Sequence, residues 1–490
     1  MAKVLGALFG LILLMVAVGC GGGSSTPAPT PTPTPSQIFP NNQQLAQAAP
    51  ISLGTSGANS TDVGAKVCCL GTLGSLWTKA GVTNPVILSN NHVLDKSGNG
   101  VPGQAINQPL QLACTNPNSP GPLTVANLTQ GLAIKPVANE TTGPCAGNKT
   151  PLCGHAPSNV DGAIAETIPG QVDLTGTILD LGPAGATTIA AAAPSGTIGV
   201  ATLGETVGKS GRTSGLTCST VESLNLTILI DYDAACGDAS PAFTAYYFNQ
   251  VTINGGTFSA GGDSGSLIVD TSTSRPVALL YGGSTIDTVG NPIQDVITAF
   301  GGSAAFNIVG GGDHPISCAH TASASATQVG NAQAALVPQE QQRVVAVQQR
   351  RTAQLMKDPT ISAVTVGASA DNPREGALLI HASGSAVPQV PPSIDGVRTR
   401  LVFDAAGASA PRSSIGAQEI DHARVVKEAN EGSLIGQPGI QGVGVSMSVD
   451  NPTEAAISVY VVAGVPHPPI PAVIGGIRTR VFEGSRFKAY

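Results

Sequence analysis

The chain has 490 residues, of which 41% are hydrophobic and 3% aromatic, with 61 Gly and 37 Pro. This composition favours β-strands joined by many turns over a helical bundle, and the length allows about three domains. The formal net charge of −7, without any basic tract, argues against nucleic acid as a partner.

The first twenty residues have the pattern of an export signal. One lysine precedes an apolar run shorter than a typical membrane-spanning helix, and small residues lead into Cys20. The ending AVGC resembles a bacterial lipobox, which implies cleavage before Cys20 and lipid attachment to its sulfur. An ordinary secretory signal or an uncleaved anchor is the alternative. Because Gly, Ser and Thr-Pro residues follow, we assign 1–19 to a signal peptide and 20–48 to the lipidated cysteine and a semi-rigid tether.

Residues 49–310 contain many short apolar runs separated by turn residues. Examples are VILSNNHVL, VDGAIAE, TGTILDLG, LNLTILIDY, FNQVTING, GSLIVD and PVALLYGG. Short strands with turn signals between them predict a β-sandwich or a β-barrel. A stretch of small and polar residues, 311–336, then forms a linker to the C-terminal region.

The C-terminal region contains an internal repeat. The segment ISAVTVGASADNPREGALLIHASG is echoed by IQGVGVSMSVDNPTEAAISVYVVAG, and each copy follows a helix-like segment and precedes an RTR motif. We predict two α+β modules at 337–407 and 415–490, each with a hairpin turning at Asp-Asn-Pro. The paired RTR arginines are candidates for anion binding, but we expect them to be solvated. We also expect a fragment ending near Ala335 to fold and remain active.

Eight cysteines remain besides Cys20, and an even number in an exported protein indicates disulfides. Short local loops favour the pairs Cys145–Cys153 and Cys218–Cys236, and the pairing of Cys68, Cys69, Cys114 and Cys318 stays open. A zinc site is the alternative, but the chain has no CxxC motif and its histidines are scattered. We expect no metal and no cofactor.

Three segments carry candidate catalytic residues in the order His92, Asp161, Ser264. A serine hydroxyl becomes a nucleophile when an imidazole accepts its proton and a carboxylate orients that imidazole. Each residue also has a plain structural explanation: a histidine at a strand end, an aspartate that caps a turn, a hydroxyl in a glycine-rich turn. Asp95 is nearer to His92 in sequence and is the alternative carboxylate.

The segments SNNHVL, VDGAIAE and GGDSGSLI together resemble the histidine, aspartate and serine blocks of trypsin-like, chymotrypsin-fold serine proteases, including the bacterial HtrA-like branch. A fourth segment, VGKSGRTSGLTCSTV, resembles the strand and turn that some bacterial members carry before the serine loop. The resemblance implies a mainly β fold, a double β-barrel at 49–310 with the site between the barrels. The C-terminal pair of α+β modules follows this domain.

The same resemblance implies roles for individual residues. His92 would be the general base, Asp161 its orienting group and Ser264 the nucleophile. The amides of Gly262 and Ser264 would form the oxyanion hole, which stabilises developing negative charge. The strand Tyr281, Gly282, Gly283 would pair with the substrate backbone.

Two features depart from the trypsin-like pattern, namely the segment before His92 and the specificity pocket, and a rival hydrolase pattern is excluded. Many trypsin-like zymogens generate a new N-terminal amine that pairs with the aspartate before the serine, and no matching start precedes His92. Asp263 therefore needs another partner. The α/β-hydrolase elbow GxSxG is excluded, because Ser266 replaces its last glycine and the histidine comes first. The base of the specificity pocket shows no clear aspartate.

The predicted function is a serine endopeptidase that acts through an acyl-enzyme intermediate on peptide or protein substrates. We expect it in the bacterial cell envelope, facing the periplasm or the cell exterior and attached to the membrane through a lipid anchor only. The alternative is a catalytically silent surface lipoprotein that binds proteins or peptides.

Overall fold

A computed structural model describes residues 42–62, 70–109, 122–137, 159–184, 190–233, 241–318, 336–382, 387–403 and 415–490. The predicted signal peptide, the tether to residue 41, and the Cys145–Cys153 pair lie outside these residues. So do Cys20, Cys68, Cys69 and Cys114. Within the described part of the chain, no helix is long and apolar enough to cross a membrane.

The first barrel is a curled antiparallel sheet of eight strands, in the order β14-β3-β4-β7-β6-β5-β1-β2. Its core contains a stack of Trp77 on Phe306, with ring centroids 4.5 Å apart. This stack joins the third strand of the sheet to the last strand of the domain. The strands are β1 (Thr55–Asn59), β2 (Gly71–Leu73), β3 (Ser75–Lys79), β4 (Val86–Ser89), β5 (Ala105–Gln108), β6 (Leu123–Gly131), β7 (Ala163–Thr167) and β14 (Phe306–Ile308).

The second barrel closes on itself, because its six strands pair in the order β10-β13-β12-β11-β8-β9 and β9 also pairs with β10. The strands are β8 (Thr206–Gly211), β9 (Gly215–Asp233), β10 (Pro241–Asn254), β11 (Leu267–Asp270), β12 (Pro276–Gly283) and β13 (Asp287–Pro292). Two short helices accompany the barrels, α1 (Asn91–Leu94) and α2 (Ile293–Ala299). Two curled antiparallel sheets in one chain confirm the predicted mainly β, chymotrypsin-like double-barrel class.

The C-terminal region folds as two copies of one unit. In each copy a helix precedes an antiparallel hairpin, and the second hairpin strand pairs in parallel with a later strand. The first copy has α3 (Pro338–Leu355), β15 (Ile361–Ala368), β16 (Gly376–Ala382), β17 (Ser393–Ile394) and β18 (Val397–Phe403). The second has α4 (Ala417–Ile435), β19 (Ile440–Met447), β20 (Ala455–Val462), β21 (Val473–Ile474) and β22 (Ile477–Gly484). The predicted α+β pattern is therefore present in both copies.

The arginines of the RTR motifs join the two copies, and the expectation that they are solvated is wrong for one arginine of each pair. Arg398 and Arg478 are each only 2% exposed. Arg398 donates to the backbone oxygen of Thr479 at 2.6 Å, and Arg478 donates to that of Thr399 at 2.7 Å. The exchange is reciprocal, as expected for a pseudo-symmetric pair.

The second copy also extends the sheet of the second barrel. Strand β19 pairs antiparallel with β9, with Gly442 opposite Ile228 and Ser446 opposite Ser223. A last strand, β23 (Lys488–Ala489), pairs with both β12 and β9. The domain boundaries stay predictions, but the second copy and the barrel share one continuous sheet.

The described disulfide joins Cys218 to Cys318, 100 residues apart in the sequence. The predicted pair Cys218–Cys236 is therefore wrong. Cys218 lies on β9, and the segment that ends at Cys318 packs back on the barrels, since Ile316 bonds to the backbone of Thr271. The disulfide thus fastens the segment after β14 to the second barrel.

Candidate active site

Two neighbouring strands of the first barrel bring His92 and Asp161 together. Strand β4 ends at Ser89, which pairs with Ala163 at the beginning of β7. His92 follows β4 on the short helix α1, and Asp161 lies two residues before the beginning of β7. Adjacent antiparallel strands therefore hold the two side chains at the same edge of the sheet.

Asp161 is fully buried, and the groups around it fix the orientation of His92. His92 Nδ1 lies 2.6 Å from Asp161 Oδ2. The other carboxylate oxygen accepts hydrogen bonds from the amides of Asn91 at 2.7 Å and His92 at 3.3 Å. A buried carboxylate in this position fixes the orientation of the ring and favours a proton on Nδ1.

A further hydrogen-bond donor to Asp161 is a tyrosine that the sequence motifs did not indicate. Tyr232, on β9, donates its hydroxyl to Asp161 Oδ2 at 2.8 Å and lies beside the hydroxyl of Tyr247. Burial, followed by the charge of Asp161, raises the pKa of Tyr232 well above its usual value. The hydroxyl therefore remains a donor to the carboxylate over the working pH range. The only signal in the sequence was its place at the end of the apolar run LNLTILIDY.

Ser264 lies in the loop before β11, and this loop contacts both barrels. Its backbone oxygen accepts a hydrogen bond from the amide of Thr72, and the amide of Gly265 donates to Leu280. Gly265 has φ +94°, and a Cβ there would lie 2.3 Å from the Thr72 oxygen. Glycine is required for this close approach. The amides of Gly262 and Ser264, the predicted oxyanion hole, belong to the same loop.

Asp263 finds its partner within the barrel. Its carboxylate lies 3.3 Å from Lys209 Nζ, and both side chains are fully buried. It also accepts hydrogen bonds from the amide of Thr213, from the amide and hydroxyl of Ser214, and from the amide of Ala260. Burial lowers the pKa of Lys209, and the Asp263 carboxylate opposes that shift. An internal ammonium thus satisfies Asp263, and the loop needs no new N-terminal amine.

The strand predicted to bind substrate is occupied by the end of the sequence. Gly282 pairs with Ala489 and Gly283 with Lys488, and the Tyr490 amide lies 3.4 Å from the Tyr281 oxygen. The Tyr490 carbonyl oxygen lies 2.9 Å from His92 Nε2. Ser264 Oγ donates to the same oxygen at 3.1 Å.

Two other features of the described residues bear on the chemistry. Asp95 accepts a hydrogen bond from the side chain of Asn91 at 2.9 Å, and the His92 ring is bonded to Asp161 instead. No group of three or more His, Cys, Asp or Glu side chains in the described ranges is placed to hold a metal ion.

No protein-family model matches the chain, and no curated protein matches it at a significant level. Solved structures similar to it include a glutamic acid specific serine protease that uses a histidine triad in substrate binding, at 18% identity and a TM-score of 0.32. Protease A of Thermobifida fusca matches at 15% identity with a TM-score of 0.31, and a Nocardiopsis protease matches at 15% identity with a TM-score of 0.32. Each match covers 53% of this chain, and 100%, 99% and 98% of those proteases in the same order.

Proposed function

We propose that the chain is a serine endopeptidase in which Ser264 is the nucleophile, His92 the general base and Asp161 the group that orients His92. One observation carries the proposal: His92 Nδ1 bonds to the buried Asp161 carboxylate, and the Tyr490 oxygen lies between the other side of the ring and the serine, 2.9 Å from His92 Nε2 and 3.1 Å from Ser264 Oγ. An imidazole held by a carboxylate and placed beside a serine hydroxyl can accept the proton of that hydroxyl as it attacks a carbonyl carbon.

The reaction proceeds in two steps. His92 Nε2 takes the proton from Ser264 Oγ as the oxygen attacks the carbonyl carbon, and the amides of Gly262 and Ser264 stabilise the oxyanion. The C–N bond then breaks, and His92 gives its proton to the leaving amine. A water molecule, activated by His92 in the same way, hydrolyses the ester on Ser264 and restores the enzyme.

A fluorophosphonate probe on the full chain tests the enzymatic function. Labelling of the native protein that disappears in Ser264→Ala is the expected result. If neither the native protein nor a Tyr490→Ala variant is labelled under any condition, the catalytically silent binding protein is the better description. The disulfide between Cys218 and Cys318 requires that these samples be prepared without reductant.

We also propose that Cys20 anchors this enzyme to a membrane of the bacterial cell envelope. The support is the AVGC ending after an apolar run, followed by a Pro-rich tether. Growth with a palmitate analogue should label the full-length protein, and Cys20→Ser should abolish both the label and the cleavage before residue 20. Label retained in that variant would refute the anchor.

A further inference from the structure

The last residues of the sequence lie in the cleft in the way that the acyl part of a peptide substrate would lie. Strand β23 pairs antiparallel with the predicted substrate strand at Gly282 and Gly283. At its end, the Tyr490 carbonyl oxygen contacts the serine and histidine of the proposed triad. The backbone pairing is therefore that of a peptide bound in the cleft, and the Tyr490 carbonyl oxygen lies against the proposed nucleophile and base.

The side chain of Tyr490 fills a pocket of defined chemistry. It packs against the core cluster of the second barrel, which includes Phe258, and hydrogen-bonds to the Ser259 hydroxyl. A Cβ added at Gly283 would lie 2.1 Å from the Tyr490 hydroxyl oxygen. The pocket is thus open only because position 283 carries no side chain.

The polar side chains that the structure places beside the Tyr490 ring are two neutral hydroxyls and one carboxylate that already has hydrogen-bond and ion-pair partners. Ser259 and Thr288 share a hydrogen bond of 2.6 Å between their hydroxyls. Asp263 is the charged group that acts on Tyr490, and Lys209 and four further donors already satisfy it. A charged side chain would find no free counter-ion in such a pocket and would lose its hydration, whereas a phenol keeps one hydrogen bond and buries its ring.

Contacts ahead of the strand fix the path of this segment. Phe487 is 1% exposed, lies 5.6 Å from the ring of Tyr460, and accepts a backbone hydrogen bond from Asp231 at 3.0 Å. Gln441 donates to the Ser485 oxygen at 3.0 Å. A tethered segment held this closely has a high effective concentration at the site, on the order of millimolar.

We propose that the segment Phe487–Tyr490 is an intramolecular occupant of the substrate cleft, and that the enzyme selects peptides with tyrosine, or another aromatic residue, on the acyl side of the scissile bond. The inferred substrate preference rests on the proposed function, whereas the inferred binding of the segment rests on the pocket alone. Two features follow: the native chain is self-inhibited, and its own sequence Lys-Ala-Tyr describes its preferred substrate.

The catalytic test uses acetyl-Lys-Ala-Tyr-p-nitroanilide and its Ala, Glu and Arg counterparts with the full chain. Tyr490→Ala should raise kcat/KM for the tyrosine substrate about tenfold or more, because an occupant at millimolar effective concentration is removed. Tyr490→Phe, which keeps the ring, should change it by less than about threefold. Val465→Ala, at a 36% exposed position away from the cleft, is the surface control.

Specificity is read in the Tyr490→Ala background. The tyrosine substrate should exceed those with Ala, Glu and Arg by about tenfold or more. Adding Gly283→Ala should reverse the order of Tyr and Ala, since the new methyl occupies the position of the phenol oxygen. A preference for Glu or Arg, or an unchanged rate in Tyr490→Ala, overturns the inference while leaving the peptidase function in place.

Binding is measured separately, so that the two proposals fail in different ways. Fluorescein-labelled Gly-Lys-Ala-Tyr is titrated by anisotropy into Ser264→Ala and into Ser264→Ala/Tyr490→Ala. About tenfold tighter binding to the double variant supports the occupied cleft, even if no variant reacts with a fluorophosphonate, in which case only the peptidase function is refuted. Equal binding to both variants refutes the inference.

Discussion

Ser264 Oγ donates a hydrogen bond of 3.1 Å to the carbonyl oxygen of Tyr490, a residue 226 positions later in the chain. The second repeat makes this possible, because β19 extends the barrel sheet and β22 leads directly into the segment that enters the cleft. The C-terminal region therefore contributes residues to the surroundings of the candidate active site.

The serine and histidine should act as one unit. We expect Ser264→Ala and His92→Ala each to lower kcat by about 10⁴-fold or more, because the nucleophile and the base that activates it depend on each other. The double variant should be little worse than either single variant. Steady-state hydrolysis of a peptide nitroanilide measures this, and clearly additive losses would exclude the proposed pair.

The carboxylate that orients His92 is tested by comparing two aspartates. Asp161→Asn should lower kcat by about 10⁴-fold, since an amide stabilises the wrong tautomer of the ring. Asp95→Asn is the matched control, because Asp95 bonds to Asn91 and not to the His92 ring, and a change below about threefold is expected. Were Asp95→Asn the more damaging substitution, the choice of Asp161 would be wrong.

The buried pair of Lys209 and Asp263 should matter for stability as well as for activity. Lys209→Met leaves a fully buried carboxylate without its counter-ion, which costs about 3 kcal/mol in the free energy of unfolding. Adding Asp263→Asn removes the unpaired charge and should restore much of that loss. Urea unfolding of the three proteins measures the effect. If the double variant were less stable than Lys209→Met, the ion pair would not explain the loss.

Two aspects of the site could be predicted from the sequence because the information is local. Each proposed triad residue lies next to an apolar run that forms a strand, and the adjacent strands β4 and β7 place His92 and Asp161 at one edge of their sheet. The need for an internal partner of Asp263 followed from the lack of a zymogen-like start. The identity of that partner could not be predicted, because a lysine on a short strand is usually solvated. Only the closed barrel buries Lys209.

The long-range contacts could not be predicted. Short loops favour pairing Cys218 with a near neighbour, yet the entropy of loop closure grows only slowly with length, and the fold decides that Cys218 meets Cys318. The alternation of residues along a strand does not reveal that a second copy packs across it, so the burial of Arg398 and Arg478 could not be predicted. The occupied cleft depends in the same way on a strand pairing between distant segments.

The pH dependence of stability should report on the contact between the barrel and the second repeat. Burial and the neighbouring Glu222 raise the pKa of Asp287 to about 8, against the opposing effects of the Tyr460 hydroxyl and Arg480. The native state holds this proton more tightly than the unfolded chain, whose aspartates titrate near pH 4. The contribution of Asp287 to stability is therefore complete below about pH 4 and declines as the pH rises to about 8.

Urea unfolding at pH 5, 6, 7 and 8 tests this with Asp287→Asn as the comparison. The native protein should lose stability more steeply over this range, by up to about 1.4 kcal/mol per pH unit. Glu205, with a pKa raised to about 7, and Asp450, with a pKa raised to about 6, titrate in both proteins. The difference between the two curves therefore isolates Asp287, and parallel curves would show that its carboxyl group is not protonated in the folded state.

The last prediction concerns a fragment that ends near Ala335. The sequence alone suggested that it would fold and stay active, but the structure argues for the opposite outcome. Removing the second repeat takes β19 from the edge of β9 and removes Phe487 from the cluster that holds Tyr232, the donor to Asp161. A long apolar strand left with an open edge pairs readily with other chains.

We therefore expect the fragment ending near Ala335 to aggregate, or to melt roughly 5 °C or more below the full chain. A chain that ends at Phe487 is the matched control, because it keeps β19, β22 and the buried Phe487 and loses only Lys488–Tyr490, which enter the cleft. This control should stay monomeric on size exclusion, melt close to the full chain, and hydrolyse the tyrosine nitroanilide faster. A shorter fragment that is monomeric, equally stable and fully active would show that the barrels need no support from the second repeat.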